Sequence, residues 1–259
     1  MTESAIIDGI DVEDLWPKCF CNGHRWISAP VKRTIGDLLL AAPVRSGSTV
    51  VHQILEEIMG DPVVKTHRLF TDACPMVAES EIVFFCVRNP FDLIHSYMRY
   101  RNKEDLSFEE IDEIFQDCTP LIKFIKIMSD PLLKESFAPE IHTRLIIVRY
   151  EDYWSADSNL KLVKYIAEKI HPGLLDPKYA EKLKKISEKT SIDTNLKIAK
   201  GVADGASHDK IHDQHISSRR GQPGQGDKLL HEKYKNYITE NYGGFFEYFG
   251  YNLGENNEE

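Results

Sequence analysis

Gly36-Asp37-Leu38-Leu39-Leu40-Ala41-Ala42-Pro43-Val44, continued by Arg45-Ser46-Gly47-Ser48-Thr49, is the stretch that decides the fold. A short unbroken apolar run suits a strand buried on both faces of a parallel sheet. The residues after the turn place Val50, Val51, Ile54, Leu55, Ile58 and Met59 on one helical face, and Gly60 closes that helix. Strand, small-residue turn and helix together make an anion cradle, because free N–H groups and the positive end of the helix dipole converge there. Taken alone, the same residues also suit a plain tight turn. They lack the Gly-Lys-Ser/Thr of a Walker P-loop.

Working outward, Ile82 to Val87 is a second strand-like run that ends at Arg88-Asn89-Pro90, where Asn89 suits a helix cap and Pro90 the first helical position. Pro62-Val63-Val64-Lys65 reads as a short strand, and Arg144 to Val148 as a fourth, running into Tyr150-Glu151-Asp152. The pattern predicts an α/β fold: a single domain over 1–259 with a central parallel sheet flanked by helices, its ligands gathered at the carboxyl ends of the strands. Ser107-Phe108-Glu109-Glu110 is a capping box, and Leu160, Val163, Ile166, Ala167 and Ile170 form an amphipathic stripe. The stretch 195–227 is rich in Gly, His, Asp, Lys and Ser without periodicity, which predicts a mobile surface loop.

The formal net charge of -9 argues against a nucleic-acid partner, so any anion site must be local. MTESAIIDGIDVEDLW carries acids and no long apolar run, which predicts a cytoplasmic protein without a membrane partner. The five cysteines, at 19, 21, 74, 86 and 118, are odd in number and show no zinc-site pairing, so they read as reduced structural thiols. His208, His212 and His215 have a spacing that suits metal ligands on a helix, but their loop-like context favours a metal-free site. The aromatic residues from Tyr237 to Tyr251 read as a packing cluster.

Six segments together resemble the cytosolic-type sulfotransferases, which use 3′-phosphoadenosine 5′-phosphosulfate (PAPS). Arg45-Ser46-Gly47-Ser48-Thr49-Val50 is similar to that family's phosphosulfate-binding loop, with Arg45 at its lysine position. Lys65-Thr66-His67 matches its Lys-Thr-His segment. Arg88-Asn89-Pro90 with Ser96 resembles the segment that grips the nucleotide 3′-phosphate, and Tyr150-Glu151-Asp152 resembles a Tyr-Glu-Asp beside the adenine. Thr190-Ser191-Ile192 is similar to a Thr-Ser-Phe at the adenine, and Arg219-Arg220-Gly221 to an Arg-Lys-Gly that closes over the 3′-phosphate. The resemblance spans about Asp37 to Gly221 and implies a sulfotransferase-like, P-loop-related fold.

It further implies in-line sulfuryl transfer from PAPS to a hydroxyl or amine of a small-molecule acceptor. His67 would be the base, Lys65 and Arg45 would neutralise sulfuryl and 5′-phosphate oxygens, and the product would be adenosine 3′,5′-bisphosphate. No metal is required. Val50 stands where the family often has Trp and Ile192 where it has Phe, so aliphatic packing and Tyr150 are expected to hold the adenine. The family's dimerisation motif is not visible in Lys228 to Glu259. Only Gly60 to Val64 separates the first helix from Lys65, so the family's long acceptor-covering connection is missing and an open cleft is expected. Two rival readings stand beside this one, a P-loop-type kinase of a small metabolite and a nucleotide-binding protein without catalysis. The bland reading of Asp92, three residues after Asn89, is a capping-box role.

Overall fold

Four short segments pair side by side in the computed structural model, which describes residues 6–7, 10–11, 38–67, 80–137, 143–154, 158–204 and 221–251. They are β1 (Leu38–Ala41), β2 (Val64–Thr66), β3 (Ile82–Val87) and β4 (Arg144–Arg149), in the sheet order β2-β1-β3-β4 and all parallel. The register sets Leu40 against Lys65, Ala41 against Phe85 and Val87 against Arg149, so all four carboxyl ends open on one edge of the sheet. Ile6–Ile7 and Ile10–Asp11 pair antiparallel in a separate two-stranded ladder.

Alternation along the strands divides the core. Leu39, Ala41, Val83, Phe85 and Val87 pack with residues of α2 (Pro90–Arg101), α3 (Phe108–Phe115), α4 (Cys118–Ser129) and α10 (Glu232–Tyr248). Leu40, Ala42, Phe84 and Cys86 pack on the other face with α1 (Ser48–Met59), α6 (Asn159–Ile170) and α7 (Ala180–Lys189). Covering both faces is what requires β1 and β3 to be apolar at every position, each buried large side chain contributing about 1.5–3 kcal/mol. The C-terminal aromatics Phe245, Phe246, Phe249 and Tyr251 join the first of these cores. Cys86 and Cys118 are buried free thiols, while Cys19, Cys21 and Cys74 lie outside the described residues.

The local punctuation follows the sequence. Asn89 caps α2 by accepting from the N–H groups of Phe91 and Asp92, Pro90 occupies the first turn, and Ser107 and Glu110 form a capping box. Gly60 ends α1 at φ 77, its N–H donating to the Glu56 carbonyl at 2.7 Å.

Two expectations are corrected. Part of the stretch expected to be a loop from Asn195 to Asp227 is helical: α8 (Ile192–Ala203) carries Asn195, and the short α9 (Gln225–Leu229) carries Asp227. The expected loop was set to begin at Asn195, inside α8, a helix capped by Ser191 that buries Asn195 and Ala199 and leaves Ile192, Leu196, Ile198 and Val202 half-buried. Residues 205–220, with the three histidines, Arg219 and Arg220, lie outside the described residues.

Asp92 does not close a capping box. Its carboxylate, 1% exposed, accepts from the backbone N–H groups of Gly224 at 2.7 Å and Gly226 at 2.6 Å. Gly226 lies so close to α2 that a Cβ there would fall 2.1 Å from the Phe91 carbonyl carbon. Asp92 is therefore the tether that docks the chain from Gly221 onward against the start of α2.

Candidate active site

The turn after β1 is bent tightly. Ser46 donates its hydroxyl to the Pro43 carbonyl at 2.8 Å, and Arg45 is held at φ 67, a left-handed conformation that costs a bulky residue energy. Gly47 follows at φ 87 as the N-terminal flank of α1. A Cβ on it would meet the Tyr150 ring at 2.4 Å and the Tyr153 hydroxyl at 2.9 Å. No side chain caps α1 and no acid stands in its first turn, so Ser48, Thr49 and Val50 begin a helix whose positive end faces the cleft.

Arg45 reaches across to α2. Its Nε donates to Ser96 Oγ at 3.2 Å, and its guanidinium lies 5.0 Å from the centre of the Tyr100 ring. Burial, helped by the charge of Arg88, lowers its pKa to about 10, which leaves it a cation at neutral pH.

β2 brings Lys65 and His67 to the same cleft. Burial holds Lys65 below the usual lysine value, opposed by Cys86 and Glu56. The Cys86 thiol is itself pushed up to about 12 by burial. His67 Nδ1 lies 3.0 Å from the Ala42 carbonyl oxygen. That oxygen only accepts, so Nδ1 carries the proton and Nε2 keeps its lone pair. The surrounding protein, and then Lys65, hold His67 below its ordinary value, so at neutral pH the ring is an uncharged base.

Arg88, 6% exposed, comes from the end of β3 and binds backbone. Nη1 donates to the Arg45 carbonyl at 3.0 Å and Nη2 to the Gly221 carbonyl at 3.1 Å, while Nε is buried without a protein partner. Its guanidinium lies 4.3 Å from the Tyr150 ring centre, and Tyr150 donates its hydroxyl to the Gly221 carbonyl at 3.0 Å. Gly221 must be glycine at φ 68, because a Cβ would fall 2.3 Å from the Tyr150 oxygen. Glu151 accepts from the Asn89 N–H at 2.8 Å and from the Tyr251 hydroxyl at 2.9 Å, locking the turn after β3 to that after β4.

Among the expected site residues, Arg45, Gly47, Ser48, Thr49, Val50, Lys65, His67, Arg88, Ser96, Tyr150, Ile192 and Gly221 line one cleft. Ser46, Thr190 and Ser191 do not line it. The Thr190 hydroxyl donates to the Ile186 carbonyl and accepts from Asn159, and Ser191 caps α8. Residues 60–64, the short connection, do not line it either. Tyr100, Tyr153, Trp154, Asn159 and Asn195 do, and the sequence reading missed them. Tyr100 was detectable, standing four residues after Ser96 on the same helix face. Asn195 was not: it is placed by a reciprocal amide pair with Gln53, at 3.1 and 3.0 Å, between helices remote in sequence.

Among the described residues that line the cleft there are three cations, Arg45, Lys65 and Arg88, and no carboxylate. Among the described residues no group of three or more His, Cys, Asp or Glu is arranged to hold a metal ion, and among them no helix is long and apolar enough to cross a membrane. No family model and no curated protein sequence matches the chain. Among solved structures it is similar to mouse sulfotransferase SULT7A1 complexed with PAP, with a TM-score of 0.51 at 14% identity over 83% of this chain and 89% of that one. The chain thus has a sulfotransferase-like fold, a single α/β domain built on a four-stranded parallel sheet flanked by helices.

Proposed function

We propose that the protein is a PAPS-dependent sulfotransferase that acts on a hydroxyl or amine of a small molecule. The observation that carries this reading is the cleft lined by three cations, with an uncapped helix start and one neutral imidazole, in a chain of net charge -9. The residues fit a nucleotide with several anionic groups. Arg88 Nε and the Tyr153 hydroxyl are buried without a protein partner, and both belong to residues that line the cleft. The fold of a sulfotransferase that was solved with PAP supports the same donor.

In this reading Arg88, Ser96 and Gly221, with Arg219 and Arg220, hold the 3′-phosphate that distinguishes PAPS from ATP. Residues 47–49 cradle the 5′-phosphate at the start of α1, and Ser46 shapes the turn behind them. The donor supplies an activated sulfuryl group, whose bond to phosphate oxygen breaks as sulfur bonds the acceptor atom. His67 Nε2 takes the acceptor's proton, and Ala42 keeps the ring in the tautomer that permits this. Lys65 and Arg45 stand where charge accumulates on the departing oxygen, the placement that lowers a barrier most. The scarcity of carboxylates lining the cleft favours this chemistry over a magnesium-dependent kinase, whose metal is held in part by an aspartate. The partners are then a small-molecule acceptor and no nucleic acid.

Incubating the protein with PAPS, EDTA and a chemically diverse acceptor panel tests the reading. Products heavier by one sulfuryl group are expected. Transfer from ATP that requires magnesium would establish the kinase, and nucleotide binding without any product would establish the non-catalytic binder.

A further inference from the structure

Tyrosine differs from phenylalanine by one hydroxyl, and a buried hydroxyl left without a hydrogen bond destabilises a fold. Tyr153, in the turn after β4, is 5% exposed and belongs to the core that joins β1 and β3 to α1 and α6. Its ring meets Tyr150 edge-on, with centres 5.6 Å apart, and its backbone N–H donates to the Tyr150 carbonyl at 3.3 Å. A phenylalanine would make all of these contacts. The hydroxyl is the part that the fold leaves unused: it is buried and finds no hydrogen-bond partner among the described residues. Burial holds it well above the ordinary tyrosine value, so it keeps its proton and is free to donate.

Where the hydroxyl ends gives it a purpose. Its oxygen lies 2.9 Å from the point at which a Cβ of Gly47 would stand, and Gly47 is the N-terminal flank of α1. Tyr153 and Gly47 line the cleft together with Ser48, Thr49 and Lys65. α1 is 12 residues long, no side chain caps it and no acid stands in its first turn, so its unspent N–H groups and its dipole favour an anion at this end. An oxyanion seated there brings acceptor lone pairs beside an O–H that has none, and a hydrogen bond to a charged oxygen is among the strong ones. We infer that Tyr153 is a further residue that binds the sulfuryl donor, its hydroxyl donating to an oxygen of the anion at the start of α1. In the PAPS reading above, on which this inference rests, that anion is the 5′-phosphate.

Tyr153→Phe in the full chain deletes the hydroxyl and keeps the ring. The unliganded variant should melt no lower than the parent, because it loses an unsatisfied buried group rather than a bond. By calorimetry, adenosine 3′,5′-bisphosphate should bind the variant about 10- to 100-fold more weakly, the usual effect of losing a hydrogen bond to a charged group. Adenosine 3′-monophosphate, which has no 5′-phosphate, should bind parent and variant within twofold of each other. A lower melting temperature for unliganded Y153F would show that the hydroxyl serves the fold, and equal weakening of both nucleotides would show that it shapes the site as a whole; either overturns the inference. Bisphosphate affinity within twofold of the parent would overturn it too, while leaving the sulfotransferase reading intact. Failure of the unsubstituted protein to bind the bisphosphate would remove that reading, and this inference with it.

Discussion

Replacing Asp92 by Ala tests how the cleft is held together. The carboxylate is 1% exposed and accepts two short bonds, from Gly224 N–H at 2.7 Å and Gly226 N–H at 2.6 Å. Hydrogen bonds to a charged group contribute about 1.5–3 kcal/mol each, and the two buried N–H groups would be left without partners, so the loss should be about 3–5 kcal/mol. That is a large fraction of the total stability of an ordinary domain, about 5–15 kcal/mol. A helix-capping role alone would be worth about 1 kcal/mol. Urea denaturation followed by circular dichroism separates the two, with Asn89→Ala as the capping control. Because the tether also fixes Gly221, whose carbonyl engages Arg88 and Tyr150, nucleotide affinity should fall in the same variant. Gly226→Ala breaks the same contact from the other side, so the double variant should lose less than the sum of the two. Equal losses of about 1 kcal/mol for D92A and N89A would refute the tether.

His67→Ala should reduce sulfuryl transfer by about a hundred- to ten-thousand-fold while leaving calorimetric affinity for adenosine 3′,5′-bisphosphate nearly unchanged; near-normal turnover would remove His67 as the base. In the wild type, turnover should fall only as pH drops through the His67 pKa, which lies below its ordinary value, so the plateau should extend beneath pH 6.5. Arg45→Gly relieves a left-handed backbone and separates two neighbouring cations, so it should melt no lower than wild type while losing transfer; a drop of many degrees would make Arg45 structural. Gly47→Ala, at φ 87 with its Cβ 2.4 Å from Tyr150, should lower both melting temperature and nucleotide affinity, and an unchanged melt would contradict the packing of Tyr150 on the turn.

Contiguous features were legible in the sequence. The apolar runs around Leu40 and Phe84 fixed two central parallel strands, because burial on both faces removes every polar position. Asn89-Pro90, Ser107 with Glu110, and Gly60 marked helix ends, because capping is a local hydrogen-bonding problem that neighbouring residues solve. The charged and small residues at the strand ends, Arg45, Gly47, Lys65, His67 and Arg88, were legible as a site for the same reason: a parallel sheet delivers its strand ends to one edge. What the tertiary structure decided depends on segments distant in the chain. Asp92 looked like a capping residue until its carboxylate met Gly224 and Gly226, more than 130 positions away. Tyr150 was legible as a site residue, but its contacts with Arg88 and with the Gly221 carbonyl join segments far apart in the chain. Backbone carbonyls and N–H groups perform much of this positioning, and because every residue carries them, no pattern of side chains announces which ones will meet.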